Sequence, residues 1–489
     1  MGRFSVVVVG GGVSGLAAAW ELSGGAEGPN ESTPRVEIVE ASERFGGSLA
    51  TTSFAGRTID LGADGFLARR PEAVTLVGEL GLRDQLEAIN ASGASLWARG
   101  ALHDLPGGLV LGVPTDLREI LRFKGVTWRA RLAARRDVHF PKRLRLDNDA
   151  TIGEIVRTKL GDELSSRLIE PMIGGIQAGR IDELSARSVF PALLDAAKRG
   201  GSLMKALRTA GPVNPGPRAD GGSSGPTFYT LTSGVGSLPG ELARQLRERG
   251  VVLRRSVAVT ALRRTPAGSY PWEVDTLNTT TPANAVILAT PAPVAAALLG
   301  SLDPAINRLS QIESASAAMV TFALARKEIT LTPSGTGILV PLQTSWAGDG
   351  SMMITAVTLL DRKWPHLERE DDVVLRAHVG RSDDTRWMEM SDEALTKRVG
   401  EELAVLLPLF GAPSETLVQR WPRGLPQYRL GHEELVNEAR TASAKVAVAL
   451  AGNAYDGVGV PASIGSGRGA ALQVLDAART STGDCRPHR

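Results

Sequence analysis

Cysteine is almost absent from this chain of 489 residues, and Cys485 near the C-terminus is the one example. A single cysteine excludes disulfides within the chain, thiol catalysis in the core and any cysteine-based metal site. The six histidines show no close metal-ligand spacing such as H-x-x-x-H. The sequence therefore predicts no metal centre. The scarcity of cysteine also suits a protein of a reducing compartment.

Aromatic residues make up only 4% of the sequence, and the formal net charge is only +2. So small a net charge gives no global electrostatic case for binding nucleic acid. No stretch approaches the roughly 20 apolar residues that a membrane span needs. The apolar run 4–9 leads into glycines rather than into a signal-peptide cleavage site. These features predict a cytoplasmic protein.

The first 40 residues have a β-α-β pattern. The run 4–9 is apolar and β-branched, as in a strand buried on both faces of a parallel sheet, and 36–40 is the second strand. The turn after the first strand has the G-x-G-x-x-G spacing and consists of Gly10, Gly11, Gly12, Val13, Ser14 and Gly15. Glycines there permit a tight turn, close approach of the backbone to a pyrophosphate and close packing of helix on strand.

Glu40 stands at the end of the second strand, where an acid accepts hydrogen bonds from ribose hydroxyls and repels a 2′-phosphate. The motif and the acid together predict a dinucleotide site. Three further segments follow: 41–47 with Arg44, Gly46 and Gly47, then 60–65, then a glycine-rich turn at 452–469. In this order they resemble the amine-oxidase-like FAD superfamily, which makes FAD the expected cofactor rather than NAD.

Longer stretches resemble the protoporphyrinogen and coproporphyrinogen III oxidase family, of the bacterial soluble type. They are EPMIGGIQAGRIDELSARSVFP at 170–191, FYTLTSGVGSLP at 228–239, Arg420-Trp421 with LPQYRLGH at 425–432, and residues 450–469. The resemblance spans nearly the whole chain. It implies oxidation of coproporphyrinogen III to coproporphyrin III in heme biosynthesis, with hydride transfer to flavin and reoxidation by oxygen. Protoporphyrinogen IX is the alternative substrate.

The resemblance also assigns residues. The expected FAD contacts are Gly10, Gly11, Gly12, Val13, Ser14, Gly15, Glu40, Ala41, Arg44, Gly46, Gly47, Ser48, Gly62, Ala63, Asp64, Gly65, Val257, Trp421, Val458, Gly459 and Val460. Ser48 stands where many relatives have Lys or Arg, and Asp64 where some protoporphyrinogen oxidases have Arg. Gly175 is predicted to let the backbone approach the macrocycle, with a plain packing turn as the alternative. Arg69 and Arg70 are predicted to pair with substrate propionates.

The expected architecture combines α/β and α+β parts in discontinuous domains. A Rossmann-like FAD-binding domain takes 1–85, 226–295 and 418–480. A mixed-sheet substrate domain takes 86–111, 188–225 and 296–417. A helical domain takes 112–187, a linker covers 213–226, and 481–489 form a disordered tail.

Residues 113–148 carry ten Lys and Arg against four Asp and Glu, with apolar residues interleaved. The first interpretation is a solvated arginine-rich face; the alternative is a surface for a membrane or for another heme-pathway enzyme. The oligomeric state is left open between monomer and homodimer. Two rival functions also stay open: an amine oxidase or carotenoid desaturase on the same fold, and a non-catalytic flavin-binding scaffold. The low aromatic content argues against an amine-binding aromatic cage.

Overall fold

A computed structural model describes residues 3–91, 93–209, 225–265, 270–330, 334–342, 344–346, 350–409 and 411–482. Most of the predicted linker 213–226 and of the predicted tail 481–489 lies outside these residues. Within them, no helix combines the length and the apolar character needed to cross a membrane.

A five-stranded parallel sheet forms the first unit, as the buried apolar run 4–9 predicts. Its strands, in spatial order, are Val252–Arg254, Arg35–Val39, Ser5–Val9, Ala285–Leu288 and Val448–Leu450. Side chains alternate along the central strand, so that Val6 and Val8 enter one core and Val7 and Val9 the other. The first core also contains the helices Val13–Leu22, Pro71–Glu79, Leu238–Glu248 and Val460–Thr482.

The opposite core of this sheet is closed by helices and a small antiparallel sheet. Its helices are Ala292–Leu299, Pro304–Asn307 and His432–Ala444, and its strands are Val259–Arg264, Trp272–Thr276 and Thr280–Ala283. The parallel sheet therefore combines strands from three distant parts of the chain, and the predicted Rossmann-like fold is confirmed.

A seven-stranded mixed sheet forms the second unit. Its order is Glu415–Pro426, Ser314–Ala325, Asp372–Val379, Ile354–Leu359, Gly337–Leu339, Ser95–Ala98 and Ala101–Asp104. One pair, between Gly337–Leu339 and Ser95–Ala98, is parallel. The helix Asp392–Leu406 packs on one face. Residues 418–426 belong to this sheet, so the predicted start of the last FAD-domain segment at 418 is too early.

The third unit is helical. Its helices are Leu117–Arg122, Trp128–His139, Ile152–Leu160, Asp162–Leu164, the π-helical Ser165–Ile169, Glu170–Gln177, Ala186–Val189, Pro191–Arg199 and Leu203–Thr209. Apolar residues from 190–207 share one core with residues from 120–173. Residues 188–209 therefore pack with the helical unit, and their predicted place in the substrate domain is wrong.

Shorter elements connect these units. Strands occur at Thr51–Phe54, Arg57–Asp60, Phe66–Leu67, Leu86–Ala88, Leu109–Val110, Val113–Pro114, Phe228–Leu231, Ser345–Trp346 and Gly350–Ser351. Helical turns occur at Gly25–Glu27, Arg83–Gln85, Val235–Ser237, Arg308–Gln311, Arg326–Glu328, Leu360–Lys363, Pro365–Leu367 and Arg386–Glu389.

Candidate flavin and substrate site

Glycines shape the turn between the first strand and the first helix. Gly10 has a φ of +103°, and a Cβ there would lie 2.4 Å from the carbonyl oxygen of Ala289. A Cβ on Gly15 would lie 1.9 Å from the carbonyl oxygen of Gly10. Gly12 differs, because the nearest heavy atom to a Cβ built on it would be the Cα of Gly47 at 4.0 Å. The turn therefore leaves a cradle at Gly12 that a side chain would fill.

The helix Val13–Leu22 begins at this cradle. Its N-cap, Gly12, has extended backbone angles and offers no side chain to accept the N–H groups of the first turn. Such a helix end carries a partial positive charge and presents N–H donors to an anion. The cradle and the helix end together fit the pyrophosphate of a dinucleotide.

The carboxylate of Glu40 closes the turn from the second strand. It accepts the backbone N–H of Gly11 at 2.6 Å and that of Ser42 at 2.7 Å. Val257 lies beside it, since its N–H donates to the Glu40 carbonyl at 2.9 Å. Each carboxylate oxygen still has a lone pair available for a further donor. Binding of ribose hydroxyls at Glu40 stays a prediction.

The loop 41–49 covers the turn from one side. Gly46 donates its N–H to the Gly11 carbonyl at 2.8 Å. The Arg44 guanidinium donates to the carbonyls of Leu49 at 3.0 Å and Gly47 at 2.5 Å, so it holds the loop in shape. The predicted contacts Ala41 and Ser48 are both exposed.

The segment Gly62–Gly65 lies against the same loop. A Cβ on Gly62 would lie 2.2 Å from the carbonyl oxygen of Ser48. The indole Nε1 of Trp421 donates to the Leu61 carbonyl at 2.9 Å. The fold thus brings together residues near 11, 46, 62 and 421, which are distant along the chain.

The C-terminal helix Val460–Thr482 reaches this region from the other side. A Cβ on Gly467 would lie 2.0 Å from the carbonyl oxygen of Ser14, so this helix packs closely on the first helix. Val458 and Gly459 immediately precede it, and Gly459 has a φ of +104° with open space around its Cα. A second helix N-terminus therefore lies beside open space.

Asp64 is engaged by the neighbouring unit. Its carboxylate accepts Lys363 Nζ at 2.8 and 3.0 Å and the indole N–H of Trp364 at 3.2 Å. Burial alone would raise its pKa, but Lys363 and Arg376 outweigh burial and lower the pKa to about 2. Because the side chain is occupied, a contribution of Asp64 to cofactor binding would come from its backbone; that role stays a prediction.

Arg376 and Asp60 continue this buried ionic cluster. Arg376 is 2% exposed and donates to the backbone carbonyl of Asp60. The Asp60 carboxylate accepts the N–H groups of Gly236 at 2.6 Å and Val235 at 3.1 Å. Burial nevertheless raises the pKa of Asp60 to about 6. The cluster links the parallel-sheet unit to the mixed sheet through buried charges that stabilise one another.

One face of the mixed sheet is accessible. Paired residues point to the same side, and Met319 pairs with both His378 and Gln419, while Ala356 pairs with His378. These four side chains are partly exposed, whereas the strand neighbours of Met319, His378 and Ala356 are buried, most of them in the core that contains the helix Asp392–Leu406. Trp421 belongs to the same strand as Gln419, so the strand that carries the accessible face also reaches Leu61 and Gly62.

His378 is the titratable group of this accessible face. Its Nε2 lies 3.0 Å from the Thr358 hydroxyl. Burial, and then the charge of Arg376, lower its pKa to about 4. At neutral pH the imidazole is therefore uncharged and offers one donor and one acceptor.

Gly175 lies on the helix Glu170–Gln177, which contacts the strand Ile354–Leu359. It is exposed, and a Cβ there would meet nothing within 4 Å. The adjacent Ile176 is 46% exposed. The open space around Gly175 is compatible with the predicted approach of a macrocycle, which stays a prediction.

Arg69 and Arg70 do not belong to the accessible face of the mixed sheet. Arg69 is exposed, and burial of part of its side chain, together with the charge of Arg70, lowers its pKa. Arg70 is 3.5 Å from Glu72 and lines a cavity of about 460 Å³ against the C-terminal helix, rather than the sheet face. Pairing of these arginines with propionates stays a prediction.

Sequence reasoning missed His378, Met319, Lys363 and Arg376. Arg376 and His378 stand two residues apart in the apolar run DVVLRAHV, which places both on one face of a strand. That alternation was an available signal. Lys363 and Met319 carry no comparable signal, since only the fold brings them to Asp64 and His378. Among the described residues, no group of three His, Cys, Asp or Glu side chains could hold a metal ion.

Residues 13–475 match the family described as flavin-containing amine oxidoreductases. The chain is 34% identical to the coproporphyrinogen III oxidase of Bacillus subtilis, covering 97% of this chain and 98% of that protein. It is 33% identical to the coproporphyrinogen III oxidase of Mycobacterium tuberculosis, with the same coverage. It is 32% identical to the protoporphyrinogen oxidase of Bos taurus, covering 97% of this chain and 99% of that protein.

Solved structures agree with this family. An Exiguobacterium protein provisionally named protoporphyrinogen oxidase superposes with a TM-score of 0.84 at 31% identity, covering 98% of this chain and all of that one. Cyclohexylamine oxidase from Brevibacterium oxydans superposes with a TM-score of 0.65 at 15% identity, covering 98% of this chain and all of that one, which shows the fold alone. The chain is a flavin-dependent oxidoreductase that belongs to the flavin-containing amine oxidoreductases and, within them, to the protoporphyrinogen and coproporphyrinogen III oxidases.

Proposed function

We propose that this protein binds one FAD and oxidises coproporphyrinogen III to coproporphyrin III in heme biosynthesis, with oxygen as the final electron acceptor. Whole-length similarity to bacterial coproporphyrinogen III oxidases supports the substrate. The similarity to a protoporphyrinogen oxidase of Bos taurus keeps protoporphyrinogen IX as the second candidate.

The residues expected to hold FAD are those around the glycine cradle. Gly12 and the first turn of the helix Val13–Leu22 would bind the pyrophosphate, and Glu40 would accept ribose hydroxyls. The N-terminus of the helix Val460–Thr482 would face the flavin end. When bound, FAD supplies a two-electron hydride acceptor.

Trp421 is the observation that carries the proposal. Its indole donates to the Leu61 carbonyl, next to Gly62, which packs on the loop that covers the cradle. Its own strand continues to Gln419, which pairs with Met319 on the accessible face. A substrate lying on that face would therefore lie next to the cofactor. Proximity of this kind is the main contribution a protein makes to a reaction whose chemistry belongs to a cofactor.

The accessible face suits a large, partly apolar macrocycle. Met319 and Ala356 offer apolar contact, and Gly175, on the helix that contacts the strand of Ala356, has open space around it. Each two-electron oxidation of a porphyrinogen also releases a proton from the ring. The neutral His378 imidazole can accept a hydrogen bond from a pyrrole N–H at its unprotonated ring nitrogen.

The experiment offers the purified holoenzyme coproporphyrinogen III and protoporphyrinogen IX side by side, and follows porphyrin fluorescence and oxygen consumption. We expect coproporphyrin to appear faster. The opposite preference would make protoporphyrinogen IX the substrate. No porphyrin from either, with flavin bound, would leave the rival functions: an amine oxidase, a carotenoid desaturase or a scaffold.

His378→Phe is expected to lower kcat/KM for the porphyrinogen about tenfold, the effect of one lost hydrogen bond of about 1.4 kcal/mol. His378→Gln, which keeps a hydrogen-bonding group, should lose less. Steady-state kinetics measures both, and flavin absorbance checks that the cofactor is retained. His103→Phe, a change to a histidine at the far edge of the sheet, is the control. Unchanged kinetics in His378→Phe would remove this residue from the substrate surface.

A further inference from the structure

A bulge interrupts the edge strand Glu415–Pro426 of the mixed sheet. Trp421 and Leu425 pair with residues that lie only two positions apart on the neighbouring strand. Residues 422–424 therefore lie opposite Ser316 alone. A bulge bends its strand and changes the direction of a side chain, and bulges are frequent next to active sites. The side chain in the middle of this bulge is therefore a candidate for a functional role.

Arg423 occupies the middle of the bulge in a left-handed backbone conformation. Its φ is +50°, and its N–H donates to the Ser316 hydroxyl at 2.9 Å. A residue with a Cβ rarely adopts this conformation, and it does so where the surrounding structure imposes it, often at ligand-binding sites. Glycine or asparagine would adopt the same backbone at lower cost. The geometry of the turn therefore does not explain why an arginine stands here.

The two ends of the bulge contact two different segments that are expected to hold FAD. At one end, the indole of Trp421 donates to the Leu61 carbonyl at 2.9 Å. At the other end, the Gly424 carbonyl accepts the side-chain amide of Asn453 at 3.3 Å. Asn453 lies in the glycine-rich turn that precedes the helix Val460–Thr482. The bulge therefore lies on the strand that carries the accessible face, between its contacts with two expected cofactor segments.

The charge of Arg423 is not compensated by an acid. The side chain is exposed, and no carboxylate of the described residues lies within 4.0 Å of its guanidinium nitrogens. Other arginines of the same segment differ in this respect. Arg420 lies 2.8 Å from Asp392, and Arg429 lies 3.0 Å from Glu183. Arg423 thus offers all of its side-chain donors to a ligand.

We infer, on the basis of the proposed function, that Arg423 pairs with a carboxylate of the porphyrinogen bound at the accessible face. That face offers no charge of its own to an anion, because Met319, Ala356 and Gln419 are uncharged and His378 is neutral at neutral pH. A planar guanidinium can bind a carboxylate through two parallel N–H···O hydrogen bonds. Arg423 would therefore hold the macrocycle at the end of the face that adjoins the cofactor segments.

The test measures the Kd of coproporphyrin III, the tetracarboxylate product, for the full-length holoenzyme by porphyrin fluorescence. Arg423→Asn, which removes the charge and suits a left-handed backbone, is expected to raise Kd about fivefold, the upper range for one exposed ion pair. Arg423→Lys keeps the charge without the planar fork and should lose less. The matched control Arg247→Gln removes an exposed charge from the helix Leu238–Glu248 and should leave Kd unchanged. The effect of Arg423→Asn should shrink between about 0.1 M and about 0.5 M salt, because screening weakens exposed ion pairs.

Kinetics with the porphyrinogen provide a second readout. Arg423→Asn should raise KM and keep kcat within about twofold, since an ion pair made equally in the bound substrate and in the transition state contributes to binding alone. Flavin absorbance checks that the variants are folded and loaded.

Three outcomes would contradict the role of Arg423. Equal Kd values for the wild type and Arg423→Asn would overturn it, while porphyrin formation by the wild type would leave the proposed function in place. A shifted midpoint potential of the flavin with an unchanged Kd would assign the charge to the cofactor instead. A wild-type protein that binds no coproporphyrin III and forms no porphyrin would refute the proposed function, and the role of Arg423 with it.

Discussion

Gly12→Val is expected to yield a folded protein without flavin. The φ of Gly12 is −66°, which valine adopts, and the nearest heavy atom to a new Cβ is 4.0 Å away. The isopropyl group would nevertheless fill the space in which a pyrophosphate meets the helix N-terminus. We expect flavin affinity and porphyrinogen oxidation to fall by more than about 100-fold, equivalent to a loss of about 2.7 kcal/mol in binding free energy. Flavin absorbance of the purified protein measures the effect.

Two further glycine changes separate the cofactor effect from a folding effect. Gly240→Val places the same side chain at an exposed helical position where a Cβ meets nothing within 4 Å. It should retain flavin. Gly15→Val should fail to fold, because its Cβ would lie 1.9 Å from the Gly10 carbonyl oxygen. Normal flavin content in Gly12→Val would show that the cofactor phosphates lie elsewhere.

Asp64→Ala is expected to lower the free energy of unfolding of the apoprotein by about 3–5 kcal/mol, because it leaves the partly buried Lys363 without its anion and removes one of the two carboxylates near the buried Arg376. Urea unfolding at neutral pH measures the loss. The double change Asp64→Ala/Lys363→Met removes both charges of the pair and should recover part of it. Glu438→Ala breaks an exposed ion pair with Arg308 and should cost less than about 1 kcal/mol.

The stability difference between wild type and Asp64→Ala should depend on pH in a defined direction. The folded-state pKa of Asp64 is lowered to about 2, from an ordinary value of 3.8. Its stabilising contribution is therefore fully present above pH 3.8 and is lost as the pH falls through about 2. Acidification from pH 7 toward 3 should narrow the difference. A difference that is independent of pH would show that the loss comes from packing rather than from charge.

The cofactor half of the site could be predicted from sequence because its signals are local. Gly10, Gly12 and Gly15 stand in one turn, and Glu40 directly follows the next strand, so short chain connections already place them near one another. The residues 44–47 follow directly. These short-range relations explain why the Rossmann-like unit was predicted with strand bounds accurate to within a few residues.

Domain boundaries were less predictable, because they depend on which core a segment joins. The helices Pro191–Arg199 and Leu203–Thr209 have apolar faces that could pack against any partner, and they join the helical core. The strand Glu415–Pro426 precedes the last FAD-domain elements along the chain, yet it pairs with Ser314–Ala325 at the edge of the mixed sheet. The local hydrophobic periodicity of these two segments does not show which core or sheet each of them joins.

By itself, the sequence determined the dinucleotide turn, the acid that follows it, the family and the excess of basic residues near 113–148. Tertiary structure decided that Lys363 and Arg376 neutralise Asp64, that His378 and Met319 share an accessible face, and that Trp128 points outward. Local motifs act through neighbours in the chain, whereas ion pairs and sheet faces join residues hundreds of positions apart. Only the packing of the three units brings those residues together.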